Sequence, residues 1–461
     1  MTARLVVIGA DAAGMTAARQ ARRRRDPDDL SIVAFERGRH TSYSACGIPY
    51  WIGGQVDSAD DLVARTPQQH RDRGIDVRLR HEVVGIDLDR REVVARDLDG
   101  GGEVREGFDQ LMVGTGATPV RPDWPGVDAD GVHGVQTLDD GEAVQDTLDR
   151  HTSAGGAAKR AVVVGGGYIG VELAESMVNR GLSVTMLERA DQPMTSLDPA
   201  MGALVREAMQ GLGIEVRTGV SVEAIEAGAD GWARAVVAAG EEYPADIVVL
   251  GLGTRPNTGL AREAGIEIGR TGGIVTDRRM RVLGQDGVWA GGDCVETVHR
   301  VTGLPVTIPL GTHANKQGRV AGINLGGGYA TFPGVVGTAV SKVCDLEIGR
   351  TGLTQKEAER AGFAFVTATI ESDSRAGYYP DAQRMTVQLL AEPGTGRLLG
   401  GQIVGREGAA KRIDILAVAL WNEMTVDEMI GLDLGYAPPF SPVWDPVLVA
   451  ARKAADLCRD H

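Results

Sequence analysis

Apolar residues come in short unbroken runs at the start of the chain, each closed by glycine. Leu5-Val6-Val7-Ile8 runs into Gly9-Ala10-Asp11-Ala12-Ala13-Gly14, then into a segment mixing alanine with arginine as far as Arg25. An unbroken apolar run bounded by turn residues predicts a strand buried on both faces, and the segment after it predicts a helix. "LSIVAFE" predicts a second strand, ending at Glu36. The same order returns in "RAVVVGGGYIGVELAESMVNRGLSVTMLE", from Arg160 to Glu188, so the chain holds two βαβ units of like design. "QLMVGTGATP" (110–119) and "VVLGLGTRPN" (248–257) predict strands that leave each unit through glycine, and "GVWAGGDC" (287–294) predicts one that ends at Gly292-Asp293. From about residue 331 the glycine turns thin out. There "MTVQLLAE" and "LLGGQIVG" predict strands, and residues 409 to about 429 predict one helical run. The prolines of "YAPPFSPVWDP", Tyr436 to Pro446, exclude a regular helix or a central strand.

Composition narrows the function classes. With 461 residues the chain can build two or three domains, each with its own core. Its net charge of −15 argues against nucleic acid as a partner, "ARRRRD" (21–26) being a local exception. Cys46, Cys294, Cys344 and Cys458 form no C-x-x-C pair and no metal-ligand spacing, so no metal site and no disulfide framework is expected. No stretch approaches the ~20 apolar residues of a membrane span, and a cytoplasmic location is expected.

The glycine turns carry the first chemistry. In Gly9/Gly14 and in Gly165/Gly167/Gly170, glycine allows a tight turn, and the helix that follows offers free amides to a pyrophosphate. Glu36 and Glu188 end the next strands, where a carboxylate accepts hydrogen bonds from a ribose. Strand, turn, helix and terminal acid together, twice, predict two Rossmann-like dinucleotide sites. Asp11 stands at the middle glycine of the first turn and suits a phosphate only if its side chain points away. Glu188 favours NADH, because a 2′-phosphate would meet a carboxylate; Arg189 beside it leaves NADPH open.

These elements, across essentially the whole chain, resemble the pyridine nucleotide-disulfide oxidoreductases, flavoproteins with two dinucleotide sites. The resemblance implies an α/β fold: an FAD-binding domain at 1–118 with 272–330, an NAD(P)-binding domain at 119–271, and an α+β dimerisation domain at 331–461. It places FAD on Gly9, Ala12, Gly14, Glu36, Arg37, Ala117 and Asp293, with Asp293 on the ribityl chain. NADH or NADPH falls to Gly165, Gly167, Tyr168, Gly170 and Glu188, with Tyr168 as a gate.

"TSYSACGIPYWIGG" (41–54) then defines the redox centre. Many members use two cysteines spaced C-x4-C, but the fifth residue after Cys46 is Trp51. The segment resembles instead the S-F-A-N-C-G-L-P-Y of the single-cysteine branch, which includes coenzyme A-disulfide reductases, persulfide reductases, NADH oxidases and NADH peroxidases. Cys46 before Gly47-Ile48-Pro49 fits a helix start, where amides are expected to lower the thiol pKa. Ala12 occupies the place of the histidine that oxidases and peroxidases of this type carry. Tyr436 to Pro446 matches the Y-A-P-P-F-S-x-x-x-D-P of coenzyme A-disulfide reductases. Arg375 to Asp381 resembles their H-A-x-Y-Y-P-G, with Arg375 for histidine, and Ala45 replaces an asparagine before the cysteine. The resemblance implies a homodimer in which Tyr436 reaches across the interface and, with Tyr378 or Tyr379, supplies the proton for a leaving thiol. It also implies that Gln20, Arg22, Arg23 and Ser42 contact the substrate, and that coenzyme A is a bound thiol. The expected activity is NAD(P)H-dependent reduction of coenzyme A disulfide or a related low-molecular-weight disulfide or persulfide. An oxidase acting on dioxygen and a redox sensor without turnover are the alternatives.

Overall fold

A computed structural model describes residues 2–153 and 159–460. Each βαβ unit forms the middle of a five-stranded parallel sheet. The first sheet runs Val288–Ala290, Gln110–Val113, Ala3–Ile8, Leu30–Phe35, Asp76–Arg78; the second runs Val132–His133, Ile247–Leu250, Arg160–Val164, Ser183–Leu187, Glu215–Arg217. Their central strands are apolar on both faces because helices cover one face and antiparallel strands the other. An antiparallel three-stranded sheet is appended to each unit, His81 to Gly107 in one and Val222 to Pro244 in the other. The two units meet where Ala117–Pro119 pairs with Thr254–Pro256, so both glycine exits leave side by side.

Small residues bring the first unit's helix close to its neighbour. Helix Ala12–Arg22 packs on helix Gly311–Leu325, where Gly318 and Gly322 lie against the backbone of Ala13 and Ala17. Any Cβ at those two positions would overlap a carbonyl oxygen. This contact fixes Gln317, whose buried side chain accepts from the Gly292 amide at 2.8 Å and thereby holds the strand exit at Asp293.

The C-terminal part is an antiparallel sheet ordered Ala339–Val343, Leu346–Gly352, Leu398–Gly405, Arg384–Ala391, Val366–Asp373, packed against helices Ala409–Trp421 and Pro446–Arg459. The helical run expected from 409 to about 429 is broken. Helix Ala409–Trp421 stops at Asn422, Glu423 is left-handed with φ 57°, and Thr425 opens a new helix, Val426–Ile430, through a capping box with Glu428. The segment before Pro446 is irregular, as its prolines demand.

A buried carboxylate ties the second unit to this sheet. Asp198 is 2% exposed; it accepts from the Gln402 amide at 2.7 Å, from the Gln388 amide and from the Gln355 N–H at 2.9 Å, while its own N–H donates to Gln402. Burial pushes its pKa up, and these donors oppose that push by favouring the charged form. Removing the carboxylate takes the acceptor from three donors, two of them on buried side chains. Asp198→Ala is expected to cost ~2–4 kcal/mol and lower the melting temperature by several degrees, with Asp198→Asn losing less; calorimetry of the two variants measures the difference.

Candidate functional site

The two glycine turns are built alike to the level of single bonds. Gly9 and Gly165 have φ of 94° and 95°, a region that favours glycine, and a Cβ on Gly14 or Gly170 would strike the carbonyl oxygen of Gly9 or Gly165. Glu36 accepts from the N–H groups of Ala10 and Gly38, both at 2.9 Å; Glu188 accepts from Gly166 and Ala190, both at 2.7 Å. Each strand-end acid is therefore a strut under its turn, a role that the ribose reading of the sequence missed. Neither helix is closed by a capping side chain, and a Cβ on Gly167 would meet only the Gly251 oxygen at 3.8 Å. The chain itself does not demand glycine at 167, whereas a close-lying pyrophosphate would. Asp11, at the matching place, turns aside to accept from the Tyr43 N–H at 3.2 Å. Both turns thus fit a dinucleotide. Arg37 stands exposed beside Glu36, Ala12 and Tyr168 open the two helices, and Ala117 lies in the pairing between the exits.

Cys46 sits in the turn Ala45–Gly47, ahead of the five-residue helix Ile48–Ile52, and its side chain is exposed. Its segment is fastened to both units. Thr41 donates to the Ala10 oxygen of the first glycine turn, and Ser176, on the second unit's helix Tyr168–Asn179, donates to the Pro49 oxygen at 2.7 Å. Ser42 takes a left-handed φ of 52° and shares a hydrogen bond with the buried His70 at 3.0 Å. Trp51, at the place of a second cysteine, packs over Gly141.

The electrostatics run against the expected low thiol pKa, although a backbone hydrogen bond at Cys46 itself lowers it. Desolvation, followed by the Glu172 and Asp293 carboxylates, pushes Cys46 up. A helix of one turn presents too few aligned peptides to offset two acids. Burial also raises Asp293 and Asp11 to about 6, the latter against hydrogen bonds from Ala12 and Tyr43 N–H. Glu172 is raised to about 6 by burial, opposed by the Ser341 hydroxyl that donates to it at 2.7 Å. Asp293 acts on both Asp11 and Cys46, so the first turn, Asp293, Cys46 and Glu172 form one continuous site. Glu172 was legible as one of two carboxylates, with Glu175, on the mainly apolar helix "YIGVELAESMV", one turn past Tyr168. Tyr168 itself has a buried hydroxyl, raised by desolvation, that lies beside Ser196.

The expected substrate residues divide. Arg22 donates to the carbonyl oxygens of Arg25, Leu30 and Gly74 at 2.6–3.0 Å; it braces the first unit and is not a free phosphate contact. Gln20 accepts from Arg24 at 2.9 Å, and Arg23 is exposed. A basic cluster that the sequence scatters is assembled here: Arg19 feels Arg65, Arg23 and Arg73. His70, hydrogen-bonded to Ser42, is lowered to about 4 by burial and by Arg19, Arg65 and Arg73. The tyrosines divide too. The neighbouring Tyr378 hydroxyl pushes the Tyr436 pKa up, while the Tyr379 N–H closes a turn on Ala376. Arg375 pairs with Glu407 at 2.9 Å.

Neutralising Glu172 removes one of the two carboxylates acting on the thiol. Glu172→Gln is therefore expected to lower the Cys46 pKa and to raise its alkylation rate by iodoacetamide at pH 7 by ~3-fold or more. The pH dependence of that rate, read by mass spectrometry, checks both the direction and the midpoint.

Residues 3–318 match the family model of the pyridine nucleotide-disulphide oxidoreductases, and residues 338–446 match that family's dimerisation domain. The NAD(P)H sulfur oxidoreductase (CoA-dependent) of Pyrococcus abyssi is 38% identical over 450 residues, 97% of either chain. The NADH oxidase of Methanocaldococcus jannaschii is 36% identical over 453 residues, 98% of either chain. Among solved structures, the NAD-dependent persulfide reductase from A. fulgidus superposes with a TM-score of 0.94 at 39% identity, over 99% of this chain and 83% of that one. With its two braced glycine turns, its cysteine segment tied to both units, and its C-terminal antiparallel sheet, the chain belongs to the pyridine nucleotide-disulphide oxidoreductase family.

Proposed function

We propose that the protein is an NAD(P)H-dependent reductase of a coenzyme A-linked persulfide or disulfide, working through Cys46 alone. The observation that carries this reading is the cysteine segment. One exposed thiol is bonded through its neighbours to the first glycine turn and to the helix that follows the second, and Trp51 fills the place of a second cysteine. An intramolecular disulfide is then unavailable, and the second sulfur has to arrive with the substrate. The Cys46 thiolate attacks the sulfur–sulfur bond, holds one sulfur as a mixed disulfide and releases the other as a thiol. FAD bound at the first turn would supply the route by which two electrons from NAD(P)H break the mixed disulfide, returning the cysteine to thiolate and releasing the held sulfur as a second thiol. Tyr436, beside Tyr378 and reaching across a homodimer, supplies the proton to the departing thiol.

Arg19, Arg23, Arg65 and Arg73 beside Ser42 suit a substrate that carries phosphates, as coenzyme A does. Among relatives, those named for sulfur, persulfide and coenzyme A chemistry accord with it. Glu188, held by two backbone amides, favours NADH, and Arg189 lies exposed next to it. The oxidase reading rests on the NADH oxidase relative; Ala12, in place of histidine, stands against it.

Anaerobic reduction with NADH or NADPH is expected to release about one coenzyme A per subunit, identified by mass spectrometry and absent from Cys46→Ser. Rapid dioxygen consumption with no released thiol would replace the reductase by the oxidase.

A further inference from the structure

The two tyrosine-bearing segments, 374–381 and 436–445, share an anchor with no part in the proposed chemistry. Arg412 rises from helix Ala409–Trp421 beneath them, and its side chain and that of Asp445 are 10% and 9% exposed. Its Nε donates to Asp445 at 3.0 Å, one terminal nitrogen donates to the oxygens of Ser374 at 2.7 Å and Phe440 at 2.9 Å, and the other donates to Gly408 at 3.1 Å. Asp445 in turn accepts from Ser441 at 3.2 Å and from the Val447 N–H at 2.9 Å, which starts helix Pro446–Arg459. A further bond, Ala376 N–H to the Pro438 oxygen at 3.1 Å, joins the two segments directly. Beyond these bonds both segments run out to solvent, where Tyr378, Tyr436, Phe440, Val443 and Trp444 are exposed.

A planar guanidinium sets the angle between its acceptors, and an ammonium does not. Ser374 and Phe440 oxygens on one nitrogen, with Asp445 on the next, fix the two segments against each other and against the helix. Tyr378 and Tyr436 stand two residues beyond the bonded Ala376 and two before Pro438, so their spacing follows that register. We propose that Arg412 is a positioning residue for the tyrosine pair, holding segments 374–381 and 436–445 in one register so that both hydroxyls reach the partner's cysteine site as a unit. The inference rests on the reading of Tyr436 as the proton donor across the dimer.

Arg412→Lys keeps a cation beside Asp445 and loses the fork. It is expected to lower kcat by ~10-fold with KM for NADH unchanged, while Tyr436→Phe lowers kcat by itself. In the Tyr436→Phe background Arg412→Lys is expected to add less than ~2-fold, because the group it positions is already gone. Ultraviolet difference titration gives a readout apart from turnover. The late tyrosine ionisation that Tyr436→Phe removes should move down toward the ordinary value in Arg412→Lys. Should Arg412→Lys fail to form a folded dimer, Asp445→Asn, which keeps an acceptor for the Val447 amide, takes its place in the same cycle. Equal losses in both backgrounds, or an unmoved titration step, would overturn the positioning role while leaving Tyr436 as donor. A Tyr436→Phe protein with full kcat would overturn both.

Discussion

Everything at this site hangs from two glutamates that hold backbone amides. A glycine turn is free to bend, and freedom is a poor quality in a phosphate cradle. Glu36 and Glu188 remove it by accepting from two N–H groups each, one inside the turn and one just past the strand. The turn is then rigid before any nucleotide arrives, so binding need not spend interaction energy ordering it. The same rigidity passes to the thiol. Thr41 and Asp11 tie the cysteine segment to the first turn, and Ser176 ties it to the helix that starts at the second. Two cofactor cradles and one sulfur are parts of a single framework.

The acids around Cys46 give that framework a definite electrical character. Asp11, Asp293 and Glu172 are all raised by burial, and two of them act on the thiol. Negative charge near a sulfur disfavours its ionisation, so the geometry restrains a reactive group more than it activates it. The arginines sit on the other side of the segment, around Ser42 and His70. Acidic and basic groups thus act on different residues of the same segment, the acids on Cys46 and the arginines on His70 beside Ser42.

Much of this was legible along the chain, for reasons that differ by residue. The parallel strands announce themselves because burial on both faces leaves an apolar run, and the glycines mark their ends. Glu36 and Glu188 were legible as strand-end acids, but their bonds to backbone amides depend on the turn folding back over them. Cys46 was legible by its neighbours; its pKa was not, because Glu172 comes from the other nucleotide unit and Asp293 from a strand far along the chain. Arg22 and Arg23 are adjacent in sequence and opposite in fate: the packing of their helix sends one to backbone carbonyls and leaves the other in solvent. The stop at Asn422 was hidden because residues 409 to 429 keep an apolar rhythm across it, and only the capping box at Thr425 shows where a new helix begins.

Trp51 over Gly141 reaches further than its local packing. A Cβ at residue 141 would come within 2.7 Å of the indole and 2.9 Å of Ile48, so the two positions have settled on each other's shape. Exchanging Trp51 for cysteine would leave a void beside a glycine that no longer has a reason to be small. An enlarged residue at 141, made first, would push the indole into the cysteine helix. Each single step toward a second cysteine is thus penalised before the pair of changes could be rewarded. A cysteine at residue 51 therefore calls for a second, compensating change at residue 141.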